Sequence, residues 1–132
     1  MIELVPVGHV ESPLADPADA PEQGDEGAPE AVIVIDPAYA RAVADVPAGA
    51  ELVVLSWLHL ADRDVLAVHP RGAASRPLTG VFATRSQDRP NPIGLHRVHV
   101  LETNGLRLRV RGSEAVDGTP VLDLKIARSG ER

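Results

Sequence analysis

Two runs of alternating apolar and polar residues, Leu95–Glu102 and Leu106–Arg111, lie on either side of the dipeptide Asn104-Gly105. Asn-Gly favours a tight turn, because both residues tolerate positive φ, and such a turn joins neighbouring antiparallel strands. Side chains of a strand alternate between its faces, so the second run places three apolar residues on one face and three arginines on the other. The two runs therefore predict a hairpin with one packed face and one basic face.

Other short apolar segments bounded by turn-forming residues predict further strands. Asp36 before Pro37 is typical of a helix start, so a short helix is predicted over Pro37–Asp45. Many short strands with little helix favour a mainly β fold, a single small antiparallel β-barrel with one or two short helices. The predicted strands are Leu4–Val10, Ala31–Ile35, Leu52–Leu60, Val65–His69, Gly80–Thr84, the two hairpin strands and Val121–Ile126.

With 132 residues, the chain is long enough to bury a core and is predicted to be one domain over residues 1–132. Ser12–Glu30 is rich in proline, alanine, glycine and acids, and is predicted to be a long acidic loop. The sequence has no cysteine, which excludes disulfides and cysteine-based catalysis or metal sites. It shows neither a secretory leader nor the roughly 18 apolar residues of a membrane helix, so a soluble cytoplasmic protein is expected.

The net charge of −6 disfavours non-specific binding to nucleic acid. The charge is unevenly distributed, because residues 80–111 carry six arginines against only Asp88 and Glu102. Such a cluster can hold a ligand that bears a phosphate, or it can simply form a solvated face.

The stretch GVFATRSQDRPNPIGL, Gly80–Leu95, joins two predicted strands. Pro90 and Pro92 fix their own φ and restrict the residue before each of them, so Asn91 is held between two rigid positions. Gly94 permits a close approach of the backbone to a ligand. A preorganised loop loses little entropy on binding, which indicates a ligand site; a rigid turn with arginines in solvent is the alternative.

That stretch resembles the signature of the TsaA-like (TrmO) family, and the resemblance continues along the chain in order. It implies a small β-barrel unrelated to the Rossmann-type methyltransferases, and usually a homodimer. The absence of a GxGxxG fingerprint from the sequence agrees with this. The other matching elements are VPVGHVESP near the start, PEQ at Pro21–Gln23, SWLHL at Ser56–Leu60, VHPRG at Val68–Gly72 and DGTPVLDLK at Asp117–Lys125.

The resemblance implies a site for S-adenosylmethionine. Arg85 would pair with the carboxylate of its methionine part, or with a carboxylate or phosphate of the acceptor, and Arg89 would bind the acceptor or lock the loop. Asn91 would contact the acceptor or cap a turn, while Asp117 would contact the cofactor, accept the acceptor's proton or cap its turn. The implied cofactor-binding residues are Pro21, Glu22, Gln23, His59, Leu60, Arg85, Leu95, Asp117, Gly118, Thr119 and Pro120; the implied substrate-binding residues are Arg89 and Asn91, and Asp117 is the candidate catalytic residue.

No metal site is predicted, because His59 and His69 lie on separate strands and no cysteine or paired carboxylate completes a ligand set. Two residues depart from the family pattern: Gln87 stands where a proline is common, and His96 stands where a small residue is usual. After Asp-Leu-Lys the chain reads Ile-Ala-Arg where the family often has Pro-Tyr. These departures leave the cofactor site in place and make the acceptor the open question.

Characterised family members are S-adenosylmethionine-dependent tRNA methyltransferases. The resemblance therefore implies methylation of N6 of threonylcarbamoyl-adenosine at tRNA position 37. The acidic net charge and the three aromatic residues, which offer little surface for base stacking, favour instead a small-molecule acceptor. Because the sequence does not identify a general base, a non-catalytic S-adenosylmethionine-binding module is a further alternative.

Overall fold

The computed structural model describes residues 1–20, 29–70 and 73–128. Strands dominate it, and helix is limited to short pieces, so the predicted mainly β fold with short helices is confirmed. The strands are β1 (Gly8–Glu11), β2 (Ala31–Ile35), β3 (Glu51–Trp57), β4 (Ala67–Val68), β5 (Thr79–Gly80), β6 (Ile93–Asn104), β7 (Arg107–Arg111) and β8 (Pro120–Ile126); the helix α1 is Ala40–Val43, and 3-10 turns cover Pro17–Asp19, Pro37–Tyr39 and Val81–Ala83.

Six strands form one antiparallel sheet, in the order β1-β2-β7-β6-β3-β8. β8 also pairs with β1, with Val121 opposite Gly8, so the ring of strand pairings is closed. β3 pairs with β6 along its whole length, from Glu51 to Trp57. β4 and β5 form a separate two-stranded sheet.

The hydrophobic core fills the inside of the ring, because each strand turns alternate residues inward. β2 shows the pattern simply: Ala31, Ile33 and Ile35 are buried, and the two valines between them are half-buried. Burial of one valine, leucine or isoleucine side chain contributes about 1.5–3 kcal/mol to stability. The buried cluster contains Val10, Ala31, Ile33, Ile35, Val43, Leu52, Val54, Val98, Val100, Leu108, Val110, Ala115 and Val121.

The predicted hairpin is formed by β6 and β7, and its turn lies one residue later than predicted. Asn104 pairs with Arg107, so the loop residues are Gly105 and Leu106, and Gly105 has a φ of 60°. Leu101 is an extra residue of β6 at a register shift, which makes a bulge in the pair. β7 alternates as predicted, with its leucine and valine buried and its arginines on the other face.

Several predicted strands are shorter in the structure. β1 begins at Gly8 rather than Leu4, β3 ends at Trp57, and β4 keeps two residues. The predicted strand Gly80–Thr84 is wrong after Gly80, because the next three residues form a 3-10 turn closed by a hydrogen bond from the backbone N–H of Thr84. An apolar run of this length does not by itself distinguish a strand from a turn.

Asp36 caps the predicted helix, since its Oδ1 accepts a 2.9 Å hydrogen bond from the backbone N–H of Ala38. The helix begins as a 3-10 turn and ends at Val43, two residues before the predicted end at Asp45. The predicted acidic loop contains the 3-10 turn Pro17–Asp19, and its residues 21–28 lie outside the described residues. Within the described ranges, no helix is long and apolar enough to cross a membrane.

Candidate functional site

A cavity of about 1490 Å³, called the main cavity below, lies where several segments of the chain meet. Its wall includes the turn after β3 (Leu58–Ala61), strand β4 and the stretch Phe82–Arg89, called the signature loop below. The start of β6 and residues of the segment Arg111–Thr119 complete it. The signature loop and the segment that ends in the Asp-Gly-Thr-Pro bend therefore share one cavity.

Arg63 holds the rigid part that follows the signature loop. Its Nε donates to the backbone oxygen of Pro90 at 2.8 Å, and its Nη2 donates to Oδ1 of Asn91 at 3.0 Å. The guanidinium also lies over the ring of Trp57, 5.1 Å from its centroid. Asn91 is thus engaged by Arg63, is exposed, and lies outside the lining of the main cavity. Sequence reasoning missed Arg63, because no motif marks it.

A second pair of contacts joins the turn after β3 to the signature loop. The N–H of Asp62 donates to Oδ1 of Asp88 at 2.8 Å, and the N–H of Arg89 donates to the backbone oxygen of Asp62 at 3.0 Å. The guanidinium of Arg89 donates to the carbonyls of Val81 at 2.8 Å and Ser86 at 2.9 Å. Arg89 lines the main cavity, but these bonds fit the loop-locking role rather than the acceptor-binding one.

The Asp-Gly-Thr-Pro bend approaches the end of β3. Gly118 has a φ of +83°, which favours glycine, and a Cβ placed on it would lie 4.0 Å from Nε2 of His59. Thr119 is buried and lines the main cavity, and its hydroxyl donates to the carbonyl of Val116 at 2.7 Å. Pro120 begins β8 and lies opposite His9.

Asp117, the candidate catalytic residue, begins this bend but lies outside the lining of the main cavity. Its Oδ1 accepts a 3.0 Å hydrogen bond from the backbone N–H of Ser12, and its own N–H donates to the carbonyl of Leu14 at 2.6 Å. The side chain lines a separate depression of about 610 Å³ together with Glu11 and Glu30. Both contacts hold Asp117 against the residues that follow β1, and neither caps its own turn.

A chain of buried polar groups extends from the core to the main cavity. Oγ of Ser56 lies 2.6 Å from Nε2 of His96, and Nδ1 of His96 lies 2.7 Å from Oε1 of Glu114. Ser56 and Glu114 were missed in the sequence. Side chains alternate along β3 and β6, so Ser56 shares the inward face of β3 with Leu52, and His96 lies on the inward face of β6. This alternation is the signal that could have found the pair Ser56 and His96.

The arginines of residues 80–111 divide into two groups. Arg107 and Arg109 pair with Glu11 at 2.6 Å and Glu30 at 2.7 Å, outside the main cavity. The hydrogen bond from Arg107 holds the pKa of Glu11 below its ordinary value of 4.5. The others, Arg85, Arg89, Arg97 and Arg111, line the main cavity together with Arg76.

Among the described residues, five arginines and three acids, Glu51, Asp88 and Glu114, line the main cavity. Glu51 is engaged by His99 at 2.9 Å and Asp88 by backbone. Among the described residues, Arg85 and Arg111 have no hydrogen-bond or ion-pair partner. The wall thus offers two guanidinium groups to an anionic ligand group.

The structure brings only part of the expected site together. In the described ranges, no three His, Asp or Glu side chains are placed to hold a metal ion. Pro21, Glu22 and Gln23 lie outside the described residues. His59, Leu60, Arg85, Arg89, Leu95 and Thr119 line the main cavity, Gly118 lies beside it, and Asn91, Asp117 and Pro120 lie outside its lining.

Comparisons with known proteins agree over nearly the whole chain. The model of the tRNA-methyltransferase O N-terminal domain matches residues 9–127. A protein from Methanothermobacter thermautotrophicus named "Probable S-adenosyl-L-methionine-binding protein" is 48% identical over 124 residues, 94% of this chain and 88% of that protein. An S-adenosyl-L-methionine-binding protein from Archaeoglobus fulgidus is 43% identical over 122 residues, 92% of this chain and 86% of that protein.

The crystal structure of TrmO from Pseudomonas aeruginosa aligns with a TM-score of 0.75 at 24% identity, which shows a shared fold. That alignment covers 100% of this chain, which spans only 61% of the TrmO chain. The chain therefore belongs to the family of the tRNA-methyltransferase O N-terminal domain, a family of S-adenosylmethionine-dependent methyltransferases, as its sequence predicts.

Proposed function

We propose that the chain is an S-adenosylmethionine-dependent methyltransferase that methylates N6 of threonylcarbamoyl-adenosine at tRNA position 37. The observation that carries the proposal is the main cavity, which is lined by the signature loop and by the approach to the Asp-Gly-Thr-Pro bend. In this proposal the closed ring of strands is a small β-barrel scaffold, one domain over residues 1–132, in a cytoplasmic protein.

The residues of the main cavity fit S-adenosylmethionine. This cofactor, when bound, supplies an electrophilic methyl group on a sulfonium. Arg85 and Arg111 suit its carboxylate, because a guanidinium can donate two parallel hydrogen bonds. Leu60, Leu95 and the exposed Phe82 offer apolar surface to its adenine. His59, beside Gly118, completes the wall with a ring that can accept or donate a hydrogen bond.

The role of this chain in the reaction is mainly to position two reactants. Holding a donor methyl and an acceptor nitrogen in line contributes several kcal/mol, and up to about 7–11 in ideal cases. The contacts of Arg89 stiffen the signature loop, and those of Arg63 stiffen Pro90 and Asn91 just after it, before any ligand binds. Little entropy is therefore lost on binding. Pro21, Glu22 and Gln23 remain proposed cofactor contacts from the acidic loop.

Transfer RNA is the proposed acceptor, because arginines outnumber acids among the described residues of the main-cavity wall and can meet phosphates. The chain is further proposed to act as a homodimer. Supporting this, Leu55 lies opposite Leu95 and Trp57 opposite Ile93, which places an apolar strip on the outside of the ring. Ile93 is 44% exposed and Leu95 36%, and both also line the main cavity, so a partner copy would cover this strip where it borders the proposed cofactor.

A small-molecule acceptor is the second candidate, and a non-catalytic S-adenosylmethionine-binding module is the third. The net charge of −6 favours the small molecule over RNA. Two of the arginines that would extend a basic surface, Arg107 and Arg109, are also paired with glutamates.

The decisive experiment compares tRNA nucleosides by mass spectrometry from cells that lack the protein and from cells in which it is restored. Methylated threonylcarbamoyl-adenosine should disappear and return. If its level does not change while purified protein binds S-adenosylmethionine, the tRNA assignment is wrong and the other two candidates remain. Purified protein that releases S-adenosylhomocysteine with a small-molecule acceptor supports the second candidate, and binding without any transfer supports the third.

A further inference from the structure

The buried polar chain Ser56–His96–Glu114 is unusual because it lies inside an otherwise apolar ring. Ser56 is 0% exposed and His96 4%. Their hydrogen bond of 2.6 Å and the 2.7 Å contact from His96 to Glu114 link the two strands β3 and β6 to the segment before the Asp-Gly-Thr-Pro bend. A polar chain of this kind is retained in a core only where its members satisfy one another.

The arrangement is not that of a serine nucleophile. Ser56 does not line the main cavity, and Gly94 covers it: a Cβ on Gly94 would lie 2.5 Å from Oγ of Ser56 and 2.7 Å from Nε2 of His96. The hydroxyl therefore cannot reach a substrate. His96 and Glu114 both belong to the wall of the main cavity, and the carboxylate of Glu114 is the end of the chain.

The hydrogen-bond chemistry assigns a direction to the chain. Ionised Glu114 only accepts, so Nδ1 of His96 carries the proton that is donated to Oε1. Nε2 shares one hydrogen bond with the hydroxyl of Ser56, which can donate to a neutral ring or accept from a protonated one. Both ring nitrogens are used, and Ser56 and His96 together fix where the carboxylate of Glu114 points.

The second oxygen of this carboxylate, Oε2, takes no part in the chain of hydrogen bonds. Oε2 of Glu114 is buried and has no hydrogen-bond partner among the described residues. A buried carboxylate oxygen without a donor destabilises a fold, whereas a donor from a bound ligand would remove that penalty. The side chain as a whole is 15% exposed and belongs to the wall of the main cavity, whereas Oε2 itself is covered, so a donor of a ligand there reaches it when binding turns the carboxylate toward the cavity.

We propose that Oε2 of Glu114 binds an N–H or O–H donor of the ligand in the main cavity, and that Ser56 and His96 are positioning residues for this carboxylate. The proposal rests on the proposed function in one respect: the ligand is taken to be S-adenosylmethionine. Its ammonium, its ribose hydroxyls and its adenine amine are all donors of this class.

The test is calorimetric titration of the full chain and of Glu114→Gln with S-adenosylmethionine and S-adenosylhomocysteine. Gln keeps the shape of Glu but presents an amide N–H₂ or a neutral oxygen, so the donor of the ligand loses its charged acceptor. Both dissociation constants should rise about tenfold. Glu102→Gln, at a carboxylate that is 65% exposed and outside the lining of the main cavity, removes the same charge and should leave both constants unchanged.

The two ligands separate a donor contact from attraction to the charge of the sulfonium. S-adenosylhomocysteine has the same donors but no sulfonium, so weakening of S-adenosylmethionine alone would show charge attraction and overturn the proposal. Unchanged binding of both ligands would also overturn it while leaving the proposed function intact. Failure of the unaltered protein to bind either ligand would instead contradict the proposed function.

A measurement on the unaltered protein covers the case in which Glu114→Gln does not fold. The Nδ1 proton of His96 gives a nuclear magnetic resonance signal, assigned by its loss in His96→Gln, that reports its bond to Glu114. A ligand donor on Oε2 weakens the acceptor strength of Oε1, so this signal should move when S-adenosylhomocysteine is added. A signal that stays in place at saturation would overturn the proposal.

The positioning role has its own readout. Ser56→Ala frees Nε2 of His96 and should raise the dissociation constant for S-adenosylhomocysteine about threefold, without the larger loss of Glu114→Gln. In the double variant the effect of Ser56→Ala should vanish, because there is no longer a charged carboxylate to orient. Full additivity of the two losses would show that Ser56 affects binding independently of Glu114, and would overturn its positioning role.

Discussion

Arginines on two sides of this molecule have opposite surroundings. Outside the main cavity, Arg107 and Arg109 are paired with glutamates at 2.6 and 2.7 Å. On the wall of the main cavity, Arg85 and Arg111 have no hydrogen-bond or ion-pair partner among the described residues. Arg109 and Arg111 are nevertheless neighbours on one face of β7.

The two groups of arginines differ because acids distant in sequence pair with one group only. Glu11 lies 96 residues from Arg107 in sequence, and Glu30 lies 79 residues from Arg109. Strand alternation groups the arginines on one face, but β1 and the residue before β2 supply counter-charges to only two of them. An arginine row in a sequence therefore becomes a binding surface only where tertiary pairing leaves it without acids.

Arg85→Ala should have the largest effect, because it removes an unpaired guanidinium from the main cavity. Binding of S-adenosylmethionine or of the acceptor should weaken about tenfold to a hundredfold, as expected for a lost charge-assisted hydrogen bond. Calorimetric titration measures this, and the melting temperature should stay the same. Arg107→Ala is the matched control and should bind normally; equal losses in both variants would abolish the distinction between the two groups.

Arg111→Ala tests the distinction within one strand. Binding of S-adenosylmethionine or of the acceptor should weaken about tenfold. If Arg111 meets an anticodon stem-loop rather than the cofactor carboxylate, the salt dependence of stem-loop binding should decrease by about one phosphate contact. Arg109→Ala, two residues earlier on the same face, should change neither quantity. The idea that pairing removes an arginine from the binding surface fails if Arg109→Ala weakens binding as much.

Much of the fold was predictable, because it depends on local patterns. The apolar run Ala31–Ile35 and the alternation in β7 each predicted a strand, and the structure buries the inward side chains of both. The strand predicted over Gly80–Thr84 was wrong after Gly80, since the apolar residues there form a 3-10 turn. The motif residues around the main cavity were found by resemblance, whereas Glu114 was missed, because only the folded ring brings it to His96.

Arg63 differs from both groups of arginines, because its guanidinium donates to the backbone oxygen of Pro90 and to the side chain of Asn91, just after the signature loop. Arg63→Ala should loosen Pro90 and Asn91, lower stability by about 1–2 kcal/mol and raise the dissociation constant for S-adenosylmethionine several-fold. Arg41, whose ion pair with Asp45 is highly exposed, provides the control: Arg41→Ala should cost at most about 0.5 kcal/mol. Denaturant unfolding distinguishes the two, and equal losses would deny Arg63 a special role.

The smallest effect concerns the pair that neutralises Arg107. Because the hydrogen bond from Arg107 lowers the pKa of Glu11 below 4.5, the pair stabilises the fold above that pH. This contribution is lost as the pH falls through the lowered pKa.

Glu11→Gln should therefore melt slightly lower than the unaltered protein at pH 7 and equally at pH 2, with Glu3→Gln as the control at an exposed carboxylate. The difference should stay small, because both partners are about half exposed, and 1 M salt should reduce it further. A melting difference that does not depend on pH would mean that Glu11 does not neutralise Arg107 in solution. Arg107 would then be available to an anionic ligand, and the contrast between the two groups of arginines would rest on Arg109 alone.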